Sequence, residues 1–391
     1  MTDDLKWYST FFFLLGAILG FADPVTDALT LAEFYKEKHR RWFQWGVIFM
    51  VVPCLVFLMV YMLTITFDSV RGVADFLRRV FFSLNPFSPA WASLKAFVLC
   101  VENFGKLRHG EEIDCGDRDV NDVNRFLAYV NFAPFTEAIA ESIPQFIIQL
   151  YAASVQEEAV KIIQIISLIV SCVSIAWAFS CGDEFLHDGE IKVKLMHKVL
   201  FCVENFFLLT SRLFAICYFI MGFRGWIFVV LMSHSLIVAL VDCTSRCQTG
   251  NPDWRCRLLS IFFLIFHWIR DDLSAPLDAE DMRKRKRQLA KIQWLSHAMF
   301  VIENHAMILL FFFLSKYSTT WFAFPVTVYV CTMSILGAIL RLVHFKFLLK
   351  GRVVPETSVT NEEVEAVGLA IQQELMNTYA MVQSLQTAYE R

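Results

Sequence analysis

The feature that most constrains this chain is a series of long apolar runs. A helix needs ~20 mostly apolar residues to cross the hydrocarbon core of a bilayer, and irregular backbone is not tolerated there. The sequence therefore predicts an all-α polytopic membrane protein with eight transmembrane helices. These eight runs lie at about 8–32, 43–67, 134–153, 161–181, 197–221, 225–243, 294–315 and 321–348.

Two further apolar runs, at about 90–104 and 256–270, are too short or too interrupted to cross. Runs of this length are typical of re-entrant half-helices, which persist at membrane depth only where protein covers them. Each follows one pair of spans and precedes another pair. Because the same order of spans and half-helix occurs twice, the sequence predicts two pseudo-symmetric repeats. They comprise residues 1–181 and 197–348 and are joined by a cytoplasmic linker at 182–196.

The last segment, 349–391, differs in composition from the spans. Asn361 and the acidic residues after it are typical of a capped helix start, and apolar residues from Val364 to Leu385 recur at helical spacings. We predict a cytoplasmic tail with an amphipathic helix that docks on the protein and inhibits it at rest.

The distribution of basic residues predicts the orientation. With both termini cytoplasmic, most of the 35 Lys and Arg fall on the cytoplasmic side, as the positive-inside rule requires. The short loop after the first span is an exception to this rule, because it would lie outside and yet carries Lys36, Lys38, Arg40 and Arg41. The reversed orientation would place these four residues in the cytoplasm but would move most of the other basic residues outside.

A basic cluster lies in the predicted cytoplasmic connection 271–292. Such clusters attract anionic lipid headgroups by about 1 kcal/mol per residue near the surface. A plain stop-transfer flank explains the same pattern, and the two interpretations are compatible. The cluster consists of Arg283, Lys284, Arg285, Lys286 and Arg287.

Charged residues inside the predicted spans are the most informative part of the sequence. Each costs at least ~2.5–3.5 kcal/mol at a helix centre on insertion scales, so chance does not explain them. Asp23 and Asp27 lie one turn apart in the first span. In the third span, four polar residues recur at i,i+4 steps and form one stripe along a helix. They are Glu137, Glu141, Gln145 and Gln149.

The remaining charges within spans are Glu204, Arg212, Glu303 and Arg341. One interpretation is structural: Arg212 and Arg341 neutralise two acids and specify helix packing. Six acids against two arginines leave four acids that must be protonated, bound to a cation or facing water. Glu204 lies near a span end and is expected to reach the surface. A stripe of carboxylates and amides is what a headgroup or ion pathway needs.

Motifs of soluble enzymes are missing from the sequence. It has no Gly-rich phosphate loop, no His-Glu-x-x-His and no Gly-x-Ser-x-Gly, so we expect neither an enzyme, an ATP-driven pump nor a cofactor. Eleven cysteines without regular spacing indicate reduced thiols, although Cys243, Cys247 and Cys256 also suit zinc or palmitoylation. The net charge of −3 gives no indication of a nucleic-acid partner, and no metal site is predicted.

Four sequence stretches together resemble the XK-related (Xkr) family over nearly the whole span region. The stretch that ends in Pro144 and Gln145 is the most specific of them. They are Phe21-Ala-Asp23-Pro-Val-Thr-Asp27, Glu137-x3-Glu141-Ser-Ile-Pro144-Gln145, Ser174-Ile-Ala-Trp177-Ala and Leu340-Arg341-Leu-Val-His-Phe.

The resemblance implies eight spans and two half-helices in two pseudo-symmetric halves. It also implies ATP-independent phospholipid scrambling at the plasma membrane, with phosphatidylserine exposure on apoptotic cells. The resemblance implies that the charged positions Asp23, Asp27, Glu137, Glu141, Arg212 and Glu303 line a hydrophilic furrow for headgroups. The predicted lipid pathway joins the acids of that set to the two glutamines of the stripe. These residues are Asp23, Asp27, Glu137, Glu141, Gln145, Gln149 and Glu303.

Two other functions remain open at this point. The blood-group member of the family looks like a non-scrambling scaffold that anchors a lipid-transfer protein, and the loops 68–133 and 244–293 offer surface for such a partner. A single-span accessory subunit is a further possible partner that the resemblance implies. An ion-coupled transporter would also use intramembrane carboxylates.

Some relatives are switched on by caspases, which cut after Asp. The tail beyond Asp281 contains no Asp at all. Sequences of caspase-like form end at Asp281 and at Asp122, both in loops between predicted spans. Either one of these loops is cut, or caspases are not the switch.

Overall fold

The fold is described from a computed structural model of the chain. It describes residues 5–64, 80–81, 84–109, 111, 120–156, 159–187, 195–247 and 279–351. The second predicted half-helix (256–270) and the tail helix (353–391) lie outside these residues. The chain divides into two compact units, Met1–Lys346 and Phe347–Arg391. In the second unit only residues 347–351 are described, and they are helical.

The described part of the chain is built from helices and contains no strand. The first half holds seven α-helices and one π-helical segment, and the second half holds four α-helices. In chain order they are α1 Ser9–Lys36, α2 Arg40–Thr64, α3 Ser88–Glu102, α4 Phe104–His109, α5 Val120–Glu137, the π segment Ala138–Ser142, α6 Ile143–Val155, α7 Ile162–His187, α8 Leu195–Phe223, α9 Trp226–Cys247, α10 Ala279–Leu314 and α11 Ala323–Gly351.

Five stretches within the described residues are long and apolar enough to cross a membrane: Ser9–Lys36, Ile162–Gly182, Lys198–Phe223, His297–Leu314 and Ala323–His344. A shorter apolar stretch, Trp226–Ile237, lies in α9. The chain is therefore a polytopic α-helical membrane protein, and the count of eight crossings stays a prediction. The predicted half-helix at 90–104 falls on α3, whose 15 residues span about 22 Å, less than the ~30 Å hydrocarbon core.

Cross-helix contacts give the relative directions of the helices. From Asp23 to Asp27 along α1, the hydrogen-bonded partners move forward in sequence along the π segment and α6 but backward along α7. Helix α1 therefore runs parallel to α6 and antiparallel to α7. The ion pair of Lys161 and Glu37, at 3.2 Å, places the α1–α2 and α6–α7 connections on one face. These directions are the ones that successive membrane crossings require.

The second half has the same arrangement around α8. Arg212 and Gly222 of α8 contact Asn304 and Ser315 in ascending order, so α8 and α10 are parallel. Glu204 and Thr210 contact α11 in descending order, so α8 and α11 are antiparallel.

The predicted third span is one helical stretch with an irregular turn. The π segment Ala138–Ser142 joins α5 to α6, and Pro144 is the second residue of α6. In a regular α-helix, steps of four residues drift around the axis by about 40°. A π turn contains an extra residue and opposes this drift, which keeps Glu137 and Glu141 on one side.

Several charged residues are buried in this fold, and many large apolar residues are exposed. Trp321 is 87% exposed, Ile162 76% and Phe228 70%, whereas Asp27, Glu204 and Arg212 are each 0% exposed. A soluble domain would show the reverse pattern, so the outer surface fits hydrocarbon. The largest apolar cluster is centred on α6, α7, α8 and α10.

The basic cluster lies in a helix and not in a loop. Because α10 begins at Ala279, residues 283–287 and Asp281 fall in its first turns. Asp122 likewise falls in the first turn of α5. All these residues still precede the predicted spans at 134–153 and 294–315, and the connections that carry them are helical at these positions. The reason is that a charged segment of good helix formers extends the apolar helix that follows it. The basic side chains lie outside what the structure describes.

Candidate functional site

Asp23 lies in the middle of α1, where Pro24 interrupts the hydrogen-bond ladder. Its carboxylate is 4% exposed and accepts two short hydrogen bonds. Ser142 Oγ donates to Oδ2 at 2.7 Å, and Ser171 Oγ donates to Oδ1 at 2.6 Å. Both oxygens of Asp23 therefore have a donor, one from the π segment and one from α7.

Asp27 lies one turn further along α1 and is completely buried. Its Oδ1 accepts hydrogen bonds from Ser167 Oγ at 2.8 Å and from Gln149 Nε2 at 2.9 Å. Its Oδ2 is buried without a donor among the described groups. Asp27 thus links α1 to α6 and α7, but only one of its two oxygens is satisfied.

Glu137 and Glu141 project from the end of α5 and from the π segment. They are 7% and 2% exposed and lie close enough to Asp23 and Asp27 to interact electrostatically. Neither oxygen of Glu141 has a hydrogen-bond partner among the described residues. Across from them, α2 contributes the small side chain of Cys54, which also lies within electrostatic range of Glu141.

Gln145 connects the site to α2. Its Nε2 donates to the backbone oxygen of Gly46 at 2.6 Å, while its Oε1 has no donor among the described groups. A Cβ at position 46 would clash with Leu31 Cδ2 and would lie 3.2 Å from Gln145 Oε1. Glycine at this position therefore lets α2 approach α1 and α6 closely.

These contacts bring six of the predicted pathway residues into one place, which we call the acid–amide cluster. Four helical elements supply its side chains or their donors: α1, the α5–α6 stretch, α2 and α7. Within the described residues no Lys, Arg or His forms an ion pair with its acids. The cluster consists of Asp23, Asp27, Glu137, Glu141, Gln145 and Gln149.

Glu303, also predicted to lie on the pathway, belongs to a different cluster. Its Oε2 lies 2.9 Å from Arg212 Nη2 and 2.8 Å from His234 Nδ1. Arg212 Nη1 donates to Asn304 Oδ1 at 2.9 Å, whereas its contact with Glu303 is an ion pair without hydrogen-bond alignment. The Arg212 guanidinium also lies over the Phe300 ring, 5.2 Å from its centroid.

A third polar cluster joins α8 to α11. Arg341 Nη1 donates to Glu204 Oε2 at 3.1 Å, and His344 Nδ1 hydrogen-bonds to Glu204 Oε1. Phe201 packs against both Arg341 and His344. Glu204 is fully buried, so the expectation that it reaches the surface is wrong. Its two basic partners replace the water that it would otherwise need.

Sequence reasoning missed several partners in these clusters. Ser167 and Ser171 carry a usable signal, because their i,i+4 spacing within an apolar run matches that of Asp23 and Asp27. His234 and His344 carry little signal, since an isolated histidine in a span is also compatible with packing. No group of three or more His, Cys, Asp or Glu in the described residues is arranged to hold a metal ion. The structure does not describe the side chains of Cys243, Cys247 and Cys256.

Comparison with known proteins places the chain in a family. The family profile described as XK-related protein matches residues 11–350. The chain belongs to the XK-related family. The matched region contains all three polar clusters of this XK-related protein, from Asp23 in α1 to His344 in α11. A search of curated proteins gives no match.

Proposed function

We propose that this XK-related protein is an ATP-independent phospholipid scramblase and not an enzyme. The observation that carries the proposal is the acid–amide cluster. Its buried carboxylates have no ionic partner among the described residues, whereas Glu204 and Glu303 pair with Arg and His. Family membership supports the same activity, since XK-related proteins of assigned function look like scramblases. In cells, the expected outcome is phosphatidylserine exposure at the plasma membrane.

The physical basis is the cost of moving a polar headgroup through hydrocarbon. A buried polar or charged group without partners costs several kcal/mol, and this cost keeps the two leaflets separate. A row of carboxylates and amides at membrane depth supplies partners for the headgroup while its acyl chains remain in lipid. Passage then follows the lipid gradient and needs no ATP.

Lipid access requires the helices around the cluster to separate. All four acids are at most 7% exposed, and α2 covers one side of the cluster through Gly46 and Cys54. We infer that the activating signal acts on this enclosure. The predicted tail helix is the candidate inhibitor, so deleting residues 353–391 is expected to raise the rate of lipid flip. If truncation leaves the rate unchanged, the tail does not inhibit the protein.

Purified protein in liposomes tests the function directly. Acyl-chain NBD-labelled phospholipid is distributed over both leaflets, and dithionite bleaches only the outer one. Scrambling carries the loss of fluorescence beyond the outer half without added nucleotide or ion gradient. Bleaching that stops at about half favours the scaffold function. Saturable, gradient-dependent uptake of a soluble substrate would indicate a transporter.

Substitution of a cluster residue tests the route. Asp27→Asn keeps the size of the side chain but removes its ionisable carboxyl group, and we expect it to slow lipid flip roughly tenfold, since a hydrogen bond to a charged group contributes about 1.5–3 kcal/mol. Glu33→Gln is the matched control, because Glu33 lies on the same helix in a surface ion pair with Lys36 at 2.7 Å. Wild-type rates in both variants would show that lipids take another route.

A further inference from the structure

The acid–amide cluster contains five buried oxygen atoms that accept no hydrogen bond from any group that the structure describes. All five are acceptors, and they lie on three helical elements: α1, the π segment and α6. A buried acceptor without a donor costs about 1–3 kcal/mol. These five atoms would therefore stabilise a bound ligand that carries hydrogen-bond donors. The atoms are Asp27 Oδ2, Glu141 Oε1, Glu141 Oε2, Gln145 Oε1 and Gln149 Oε1.

The chemistry of these atoms specifies the kind of donor. Two of the residues are carboxylates without an ionic partner among the described residues, so a positive charge is favoured. The two amide oxygens respond to hydrogen-bond donors. A primary ammonium satisfies both demands, because it combines one positive charge with three N–H donors. A quaternary ammonium brings the charge alone, since its nitrogen carries no hydrogen.

Three of the residues that carry these acceptors lie in a row along the stretch from the π segment into α6. Glu141, Gln145 and Gln149 follow one another at steps of four residues, and in an α-helix side chains at this spacing lie about 5–6 Å apart at Cβ. Gln149 also bonds to Asp27 at 2.9 Å, which adds the Asp27 carboxylate to the same row. An ammonium that moves along α6 can thus leave one acceptor as it reaches the next.

We propose that this row of Asp27, Glu141, Gln145 and Gln149 selects phospholipids whose headgroup ends in a primary ammonium, as in ethanolamine, over those that end in choline. The inference rests on the proposed scrambling function and adds a substrate class to it. The ammonium enters the row first, because the acids repel the headgroup phosphate.

A methylation series of lipids is the direct test. Acyl-chain NBD-labelled phosphatidylethanolamine, its N-methyl and N,N-dimethyl derivatives and phosphatidylcholine share the same phosphate and net charge. They differ in the number of N–H donors. In proteoliposomes of the full chain, we expect the flip rate to fall at each methylation and to reach a total of roughly tenfold, equivalent to about one charge-assisted hydrogen bond. Equal rates across the series would overturn the selectivity while leaving scrambling intact. Flip of no lipid at all would instead contradict the proposed function.

Glu141→Gln shows whether the row causes the selectivity. This substitution removes an ionisable carboxyl group and supplies its own donor, so the ratio of ethanolamine to choline rates is expected to fall several-fold toward one. Both lipids are measured in one preparation, so a smaller folded fraction lowers both rates without changing their ratio. An unchanged ratio would assign selectivity to other residues. Glu33→Gln should keep the wild-type ratio.

Free ethanolamine distinguishes a lipid headgroup from a soluble amine as the ligand. Added at millimolar concentration on both sides, it should leave all four rates unchanged, because a soluble amine does not enter a row enclosed by helices and lipid. Inhibition of all four lipids to the same extent would show that the acceptors serve a soluble amine, and would overturn the headgroup assignment.

Discussion

At the scale of single residues, acids within the helices are held in two different ways. Asp23 and Asp27 are held by serine hydroxyls and a glutamine amide, which are neutral donors. Glu204 and Glu303 are each held by an arginine and a histidine. The first arrangement leaves negative charge to be met by a ligand or by protons, and the second largely neutralises it. We therefore assign transport to the first kind and stability to the second.

Arg212→Gln is predicted to destabilise the protein. It leaves Glu303 with His234 as its basic partner and removes a guanidinium that is 0% exposed. Breaking a buried ion pair from one side costs about 3–5 kcal/mol. Thermal unfolding in detergent, followed by size-exclusion chromatography, should show a clearly lower midpoint. The double variant Arg212→Gln/Glu303→Gln should recover part of the loss. A wild-type midpoint in the single variant would mean that the pair contributes nothing.

The need for partners at Arg212 and Arg341 could be predicted from the sequence, because a charge in hydrocarbon requires one. Which acid each arginine meets could not be predicted. Arg341 lies 137 residues from Glu204 in the chain, and their contact depends on how α8 and α11 cross. The assignment of Glu303 to the lipid pathway came from the family resemblance and stays a prediction, and its ion pair with Arg212 could not be read from the sequence.

At the scale of helices, small residues set how closely the elements pack. Gly20 of α1 lies against Ala90 of α3, and Gly337 of α11 lies against Leu208 of α8. Membrane helices pack through such residues because hydrocarbon provides little drive for association. The close contact at Gly337 holds α11 where Arg341, one turn away, can reach Glu204.

Gly337→Val is predicted to separate α8 from α11. A Cβ at position 337 would lie 2.8 Å from Leu208 Cγ and 3.0 Å from the backbone nitrogen of Leu208. Relieving this contact requires a shift of the backbone, which costs more free energy than a change of side-chain rotamer. We expect a loss of about 1–3 kcal/mol, as for other overpacked sites, seen as a lower unfolding midpoint. Gly105→Ala is the control, since nothing lies within 4 Å of its added Cβ. If both variants behave alike, the contact at Gly337 does not limit packing.

The π segment is predicted to align the acids of α5 and α6 with those of α1. Inserting one alanine after Ala140 should rotate Glu137 by about 100° relative to Gln145, because each added helical residue turns the chain by that angle. Helical circular dichroism should persist while lipid flip falls sharply. Inserting one alanine after Ala159, in the connection before α7, is the matched control and should retain activity. Normal flip after the insertion at Ala140 would show that the alignment is unimportant.

The sequence predicted the third span and its polar stripe, because both depend on local spacing. It did not predict the π segment. Pro144 indicates an interruption, but the backbone accommodates a proline by a kink, a π turn or a break, and tertiary contacts decide among these. Here Ser142, at the end of the segment, is bonded to Asp23.

At the scale of the whole molecule, the two halves repeat one pattern of contacts. In the first half α1 bonds to α6 and α7, and in the second α8 bonds to α10 and α11. These are the first, third and fourth spans of each predicted repeat. The pattern is shared but the chemistry is not, since the first half carries uncompensated acids and the second carries ion pairs. We infer that the second half, through its ion pairs, gives rigid support to the first half, which carries the acid–amide cluster.

Epitope tags inserted after Lys38, Gly225 and Ser318 are predicted to lie on the same, extracellular side. These positions follow odd-numbered spans, and the contacts of α1, α6, α8 and α10 show that those helices run parallel. Antibody should label all three on intact cells, whereas a tag at the N-terminus should need permeabilisation. The tag after Lys38 is the most informative about orientation, because the basic residues around it are the exception to the positive-inside rule. Labelling of the N-terminal tag alone on intact cells would reverse the topology.

The bonding of α1 also has a consequence for biosynthesis. Ser142 and Ser171, which donate to Asp23, follow it in the chain by 119 and 148 residues. At about 5–20 residues per second, a ribosome needs roughly 6–30 s to make them. During that interval two aspartates of the first helix have no permanent donors. We infer that the insertion machinery retains α1 in a polar setting until α6 and α7 emerge, so that the first helix is released into lipid only together with them.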